Sequence, residues 1–378
     1  MKISCARGIL HEGLSVVRRA VPARSTLPVL SNILLSTDGS RLKLAATDLV
    51  IGINCWIGVE VEQEGAITVP ARLLTDFVGS LPSGRIDLEF VARTQALNLK
   101  CGRFEANIKG IDAQEFPVIS APEDVLARVD AGLLCQAIDQ VAFAAGTDES
   151  RPVLTGVLAE FSEGRLALAA ADGFRLSVRS IDLDGGPGQP TSVIIPARSL
   201  QELRRIVGGK DAPVDVSIAS NRNQVFFHMA DVDLVSQLVK GTFPDYKQII
   251  PTTYNTRTTV NTGEFLAAVR MAFIFARESA NIVRVQMVPN DDGDSGRLII
   301  SATSSEHGDN VGELDAVIEG PPAEVAFNAR YLIDALGVVG EDRVILETRD
   351  PASPGVMRPA GGGDFVHIVM PIRSPGGA

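Results

Sequence analysis

Cysteine is scarce in this chain. There are four in 378 residues, Cys5, Cys55, Cys101 and Cys135, and no two form a Cys-x-x-Cys pair. That scatter excludes a disulfide framework and a thiolate zinc site, and leaves the four as small buried hydrophobes. Histidine is equally rare, and His11, His228, His307 and His367 show no metal-ligand spacing, so neither a metal nor a cofactor is expected. No apolar run approaches the roughly 20 residues that a bilayer-crossing helix needs. The start, Met1 to Arg7, lacks the apolar stretch of a signal peptide, so a cytoplasmic location is expected. Walker, Gly-x-Gly-x-x-Gly, His-Glu-x-x-His and Gly-x-Ser-x-Gly motifs are all missing. The sequence therefore offers no evident active site.

What the chain does have is the same passage three times. The run from Asp38 to Asp48 (DGSRLKLAATD) returns as Ser162 to Asp172 (SEGRLALAAAD) and again as Asp294 to Ser304 (DSGRLIISATS), with the Arg-Leu pairs 124 and then 132 residues apart. A second phrase keeps the spacing. Val69-Pro70-Ala71-Arg72, Ile195-Pro196-Ala197-Arg198 and Phe327-Asn328-Ala329-Arg330 lie 126 and 132 apart. Two motifs in step at domain-sized intervals mean three copies of one fold, within the range of domains that this length allows. Apolar residues at 45% supply the cores.

Each copy reads as two amphipathic helices and several strands. Leu10, Leu14, Val17 and Val21 share one helical face in the first copy; Leu133, Leu134, Ile138 and Val141 do so in the second, and Phe265, Val269 and Phe273 in the third. The Ala-Arg step opens a second helix, striped by Leu74, Phe77, Val78 and Leu81, by Leu200, Leu203 and Val207, or by Leu332, Ala335, Leu336 and Val339. The fold class is α+β, with helices on one face of a mostly antiparallel sheet. The expected domains are 1–122, 128–251 and 255–373, followed by a flexible tail at 374–378, with polar or Pro-containing linkers near Ser120 to Val125 and Pro251 to Asn255. The Gly/Pro-rich stretches Asp182 to Pro190 and Asp350 to Gly363 read as surface loops.

Net charge is −11, which on its face counts against a nucleic-acid partner. The distribution weakens that objection. The six helical segments with their flanks carry eleven cations and six carboxylates, a local +5, so the remainder holds −16. The cations avoid the apolar stripes. Such faces either solvate their helices or attract phosphates without reading sequence.

Asp48 and Asp172 fall at one point of the repeat, and a hydrolase built on them is one reading. The third copy has Ser304 there and no base lies near, so turn caps are the better one. A scaffold with no DNA role is another. The run Phe365 to Arg373 reads as an edge strand or as one wall of an apolar groove for a partner peptide.

Six phrases then point to one family. Arg24 to Leu30 (RSTLPVL), Ala46-Thr47-Asp48-Leu49, Thr68 to Arg72 (TVPAR), Ala171 to Leu176 (ADGFRL), Phe243-Pro244-Asp245-Tyr246 and Val369 to Arg373 (VMPIR) resemble, in order and along the whole chain, the bacterial β sliding clamps, processivity subunits of DNA polymerase III. The resemblance implies three clamp domains per chain, closed head to tail as a homodimeric ring around duplex DNA. It implies no catalysis and no cofactor. Partners would be double-stranded DNA bound without sequence preference, the replicative polymerase, a clamp loader, and other proteins with a short apolar clamp-binding motif. The DNA-facing candidates are Arg24, Arg72, Arg198, Arg204, Arg205, Lys210, Arg270 and Arg330. Carried over position by position, the peptide cleft would comprise Leu154, Gly173, Phe174, Arg175, Leu176, Pro244, Ile249, Asn328, Tyr331, Val369, Met370, Pro371, Ile372 and Arg373. The ring joint would set Arg103, Ala106 and Ile108 against Ile274 and Phe275, with Glu306 or Asp309 available to the basic side. Three departures stand out: Phe174 where many members have His, Gln248 where some have Arg, and a chain that runs on past Arg373.

Overall fold

The computed structural model describes residues 1–122, 124–183, 185–209, 212–290 and 295–372. Lys210, Arg373 and the 374–378 tail, all named above, lie outside the described residues. Six α-helices run among them: α1 (Arg7–Val17), α2 (Ala71–Ser80), α3 (Ala131–Val141), α4 (Ala197–Val207), α5 (Thr262–Ala276) and α6 (Ala329–Leu336). They fall two to a copy, as the periodicity predicts. Contacts group the chain into two compact units.

The first unit spans 1–132, 183–186 and 202–238. It holds a five-stranded sheet in the order Glu60–Gln63, Lys2–Ala6, Arg85–Val91, Ala96–Cys101, Phe104–Lys109. Its eight-stranded sheet runs Ala127–Val129, Val214–Ile218, Gln224–Met229, Val232–Gln237, Ile51–Gly58, Arg41–Thr47, Asn32–Asp38, Ala66–Pro70. Leu10, Leu14 and Val17 of α1 are fully buried. Gly13 lets α1 approach the sheet, because a Cβ there would sit 2.8 Å from Leu44 Cδ1 and 3.0 Å from Ile57 Cγ2.

The second unit spans 133–182, 187–201 and 239–378. Its twelve-stranded antiparallel sheet begins Thr191–Pro196, Gly156–Ser162, Arg165–Ala171, Arg175–Asp182, Phe365–Val369, Gly355–Pro359, Arg343–Thr348, and ends Thr256–Asn261, Gly308–Glu319, Gly296–Ser304, Ile282–Pro289, Ala323–Asn328. Helices α5 and α6 pack on it, around a core that includes Phe265, Val269, Phe327 and Leu332.

Three expectations need correction. The 350–363 stretch is no continuous surface loop, because it contains the strand Gly355–Pro359 with Val356 and Met357 buried. Gly355 is required there by the Phe327 ring, whose Cζ lies 2.5 Å from where a Cβ would be, so the glycine marks close packing rather than a turn. Phe365–Val369 is an inner strand, paired on both sides. Leu133 is exposed rather than part of a buried stripe.

Copies are joined by strand pairing, and the joint is built twice. In the first unit Val232–Gln237 pairs with Ile51–Gly58, Val232 opposite Cys55 and Ser236 opposite Ile51, and the Gln237 N–H donates to the Val50 carbonyl at 2.8 Å. In the second unit Phe365 lies opposite Arg179 and Val369 opposite Arg175, and the Met370 N–H donates to the Phe174 carbonyl at 2.8 Å. Two matching edges are left over among the described residues. Phe104–Lys109 is the last strand of its sheet. The long strand Gly308–Glu319 pairs with its second neighbour only through Ala316 to Glu319, leaving residues 308–315 open on that side.

Candidate functional site

A repeated turn carries Gly173, Phe174 and Arg175, three of the residues carried over for the cleft. Asp48 Oδ1 accepts from the Val50 and Ile51 amides, Asp172 Oδ1 from those of Phe174 and Arg175, and Ser304 Oγ from those of Glu306 and His307, at 2.7–3.3 Å. The carboxylates are turn caps, as their spacing suggests. Gly173 takes φ +96°, and Leu49 at the matching place takes φ +74°, a conformation that glycine tolerates far better.

From this turn Arg175 runs inward. Its Nε lies 3.0 Å from Asp172 Oδ2, its Nη1 2.6 Å from Asp334 Oδ2 on α6, and its Nη2 2.7 Å from the Phe143 carbonyl after α3. The guanidinium stacks on the rings of Tyr331 and Phe143, at 4.5 and 5.3 Å. Its side chain is 11% exposed. Arg175, which the resemblance carries over as a cleft residue, thus gives three hydrogen bonds to the protein itself.

Beside it His367 is fully buried. Its Nδ1 lies 2.6 Å from Ser177 Oγ, its ring packs 5.4 Å from Phe143, and its Nε2 has no partner among the described residues. Burial, with the Arg175 charge second, pushes this imidazole from 6.5 down to about 3. A folded-state value below the unfolded one means that the neutral ring adds stability above pH about 6.5, lost as pH falls toward 3. Each pH unit in that window costs up to about 1.4 kcal/mol. Urea unfolding of the native protein should therefore weaken by about 1–2 kcal/mol more between pH 7 and pH 5 than that of His367→Gln. Parallel pH profiles would refute this.

The remaining cleft residues divide by depth. Leu176 and Val369 are buried. Leu154 is half-buried and packs in the cluster of Leu176, Phe243 and Tyr246. Phe174, Ile249 and Met370 are exposed apolar side chains, and the Met370–Phe174 backbone bond makes two of them neighbours. Gly173 and Pro244 are exposed, while Tyr331, Pro371 and Ile372 are half-buried. Asn328 caps α6 by accepting from the Arg330 amide at 3.0 Å, and the Ile372 N–H donates to the Ala326 carbonyl at 2.8 Å.

Of the helix cations, Arg24, Arg72, Arg198, Arg205, Arg270 and Arg330 are exposed and Arg204 is half-buried. Arg330 lies 5.5 Å over the Phe273 ring, which Arg277 also approaches at 5.0 Å. Several are ion-paired. Asp76 lies 3.4 Å from Arg18 and 3.6 Å from Arg72, and Glu202 lies 3.4 Å from Arg19 and 2.5 Å from Arg205. At the edges, Arg103 and Ile274 are exposed and Ala106 and Phe275 half-buried. Ile108, at 4% exposure, belongs to the core of its own unit.

Family models of the DNA polymerase III beta subunit match three successive stretches of the chain: the N-terminal domain over residues 1–120, the central domain over 128–245 and the C-terminal domain over 247–373. The chain belongs to the β sliding clamp family. It is 34% identical to the β sliding clamp of Synechocystis sp. over 394 residues and 32% identical to that of Synechococcus elongatus over 377, with 99% of both chains covered in each case. Among solved structures, the sliding clamp of Bacillus subtilis superposes with a TM-score of 0.93 at 30% identity, covering 99% of both chains. The DNA polymerase III β subunit of Pseudomonas aeruginosa gives 0.91 at 30%, covering 99% of this chain and 100% of that one. The fold is therefore three clamp domains, and β clamps are non-catalytic processivity subunits, which leaves the Asp48 and Asp172 hydrolase without support.

Sequence reasoning missed Phe143, Asp334 and Phe104. Asp334 carried a signal: it is the sixth residue of its helix, as Asp76 and Glu202 are of theirs.

Proposed function

We propose that the chain is the sliding clamp of a replicative DNA polymerase III, closing head to tail with a second copy into a ring that encircles duplex DNA and holds the polymerase to it. The observation that carries this reading is the inter-copy joint, built twice within the chain and left open once at two complementary edges. A heterologous contact whose rotation closes gives a ring.

The internal repeat supplies the register of the third joint. His307 corresponds to Arg175 and Ile51 through the shared turn, and Phe104 corresponds to Val232 as the first residue after the hairpin. Phe104 would then lie opposite the partner's Val311, Ala106 opposite Asp309 and Ile108 opposite His307. Phe104 and Val311 are 54% and 59% exposed in the single chain, and pairing them would bury both. Lys109 would meet Glu306. Ile274 and Phe275 of α5 are carried over as further contacts.

The domains of this ring are 1–122, 128–251 and 255–373. Duplex DNA would pass along Arg24, Arg72, Arg198, Arg204, Arg205, Lys210, Arg270 and Arg330 by phosphate attraction alone. A clamp loader would open the ring, and the polymerase and other partners would seat a short apolar motif on Phe174, Met370, Ile249, Leu154, Pro244, Pro371 and Ile372. Arg373 completes the cleft by family resemblance. No helix among the described residues is long and apolar enough to cross a membrane, and the cytoplasm is the proposed location.

A cross-link tests the joint. The double variant Ala106→Cys, Asp309→Cys, oxidised on nicked circular duplex, should give covalent dimers that stay on the circle and leave only when it is linearised. Monomer by light scattering, or no cross-link in either variant protein alone or on DNA, would remove the ring.

A further inference from the structure

We infer that Asp76 and Glu202 are built-in counterions that compete with DNA phosphates for the helix arginines and so keep the grip on DNA weak enough for sliding; this rests on the DNA-facing reading above. Two facts point there. The second helix of each copy carries a carboxylate as its sixth residue: Asp76 in α2, Glu202 in α4 and Asp334 in α6. In the first unit each bridges two arginines from different elements. Asp76 takes Arg18, just past α1, and Arg72 of its own helix, at 3.4 and 3.6 Å. Glu202 takes Arg19, next to Arg18, and Arg205 of its own helix, at 3.4 and 2.5 Å. The third, Asp334, is drawn to Arg175 instead.

A carboxylate placed among cations on a surface that meets a polyanion is not explained by stability alone. Asp76 is 57% exposed with Arg72 at 87%, and pairs this open contribute little to folding. Their effect falls on the next encounter. A guanidinium already holding a carboxylate exchanges one anion for another when a phosphate arrives, whereas an unpaired one gains a partner and releases a condensed counterion. The bound duplex is then contacted by cations that are each partly satisfied from inside the protein, and any one contact is readily traded as the duplex moves. Glu202, only 8% exposed, is the more firmly held of the two.

Asp76→Asn is the decisive variant because it removes charge from an exposed site and leaves shape unchanged. The probe is a fluorescent duplex too short to retain a ring topologically, titrated by anisotropy between about 50 and 200 mM salt. The slope of log K against log salt should steepen by about one in Asp76→Asn, as Arg72 is released to phosphate, with a rise in low-salt affinity. Glu202→Gln should do the same through Arg205. Glu163→Gln, in the exposed hairpin turn after Ser162, changes net charge equally and should leave the slope where it was. A slope in Asp76→Asn equal to that of the native protein or of Glu163→Gln overturns the counterion role while the DNA-facing reading stands. Absence of salt-dependent binding by the native protein removes that reading and the inference with it.

Discussion

Replacing Arg72, Arg198, Arg270 and Arg330 together by Glu should abolish retention on nicked circular DNA while light scattering still finds the dimer. All four are exposed, and three of them, Arg72, Arg198 and Arg330, are the second residue of the second helix in their copies. Their side chains lie at the surface, so removing them opens no cavity. Surface contacts such as Arg72 with Asp76 and Arg330 over the Phe273 ring are worth at most about 1 kcal/mol each. The loss on DNA is of another order, because four attractions become four repulsions on a surface that uses charge alone. Affinity for duplex should fall by about 10²–10⁴-fold at moderate salt, and the salt slope should drop by about four. Undiminished retention of the quadruple variant on circles would mean that these helices do not face the duplex.

Arg175→Ala should damage the protein from the opposite side, through structure first. The guanidinium satisfies Asp172, Asp334 and the Phe143 carbonyl at once and fills the space between two rings. Its loss leaves a nearly buried carboxylate at Asp172, 15% exposed, without its cation. Stability should fall by about 2–4 kcal/mol in urea unfolding. Binding of a peptide bearing the polymerase's short apolar motif should weaken at least about tenfold, because the Phe174 and Met370 surface is hung on the same turn. Arg175→Lys keeps the charge but cannot serve three acceptors in one plane, so it should restore only part of both losses. Full peptide affinity in Arg175→Ala would show that the cleft does not depend on this residue.

Much of the fold was readable because it is local and repeated. Helix periodicity, the Arg-Leu hairpins and the Ala-Arg helix starts each depend on residues close in sequence, and three copies let one confirm another. The strand Gly355–Pro359 escaped because its flanking glycine and prolines mimic a loop; only the Phe327 ring, far away in sequence, shows why a glycine is needed. The run from Phe365 looked like an edge strand for a similar reason, since both of its neighbours, Arg175–Asp182 and Gly355–Pro359, are set by tertiary pairing. The apolar cleft residues could be named from family resemblance, but depth could not. Ala106 and Ile108, two apart, share one face of their strand, and that Ile108 is buried while Ala106 is only half-buried is decided by what packs over that face, not by spacing. Arg175 was named for the cleft without Phe143 or Asp334, because a cation held by a carboxylate 159 residues away leaves no trace in spacing.

The twofold use of one strand-to-strand joint also sets where such a ring can open. The two copies of the joint within a chain are tethered by short linkers, so their edges meet at an effective concentration in the millimolar range whatever the dilution. An equivalent joint between chains has no tether and answers to bulk concentration. Three contacts with one ladder geometry would therefore differ in lifetime by connectivity alone, and the seam between protomers would be the place where the ring parts first.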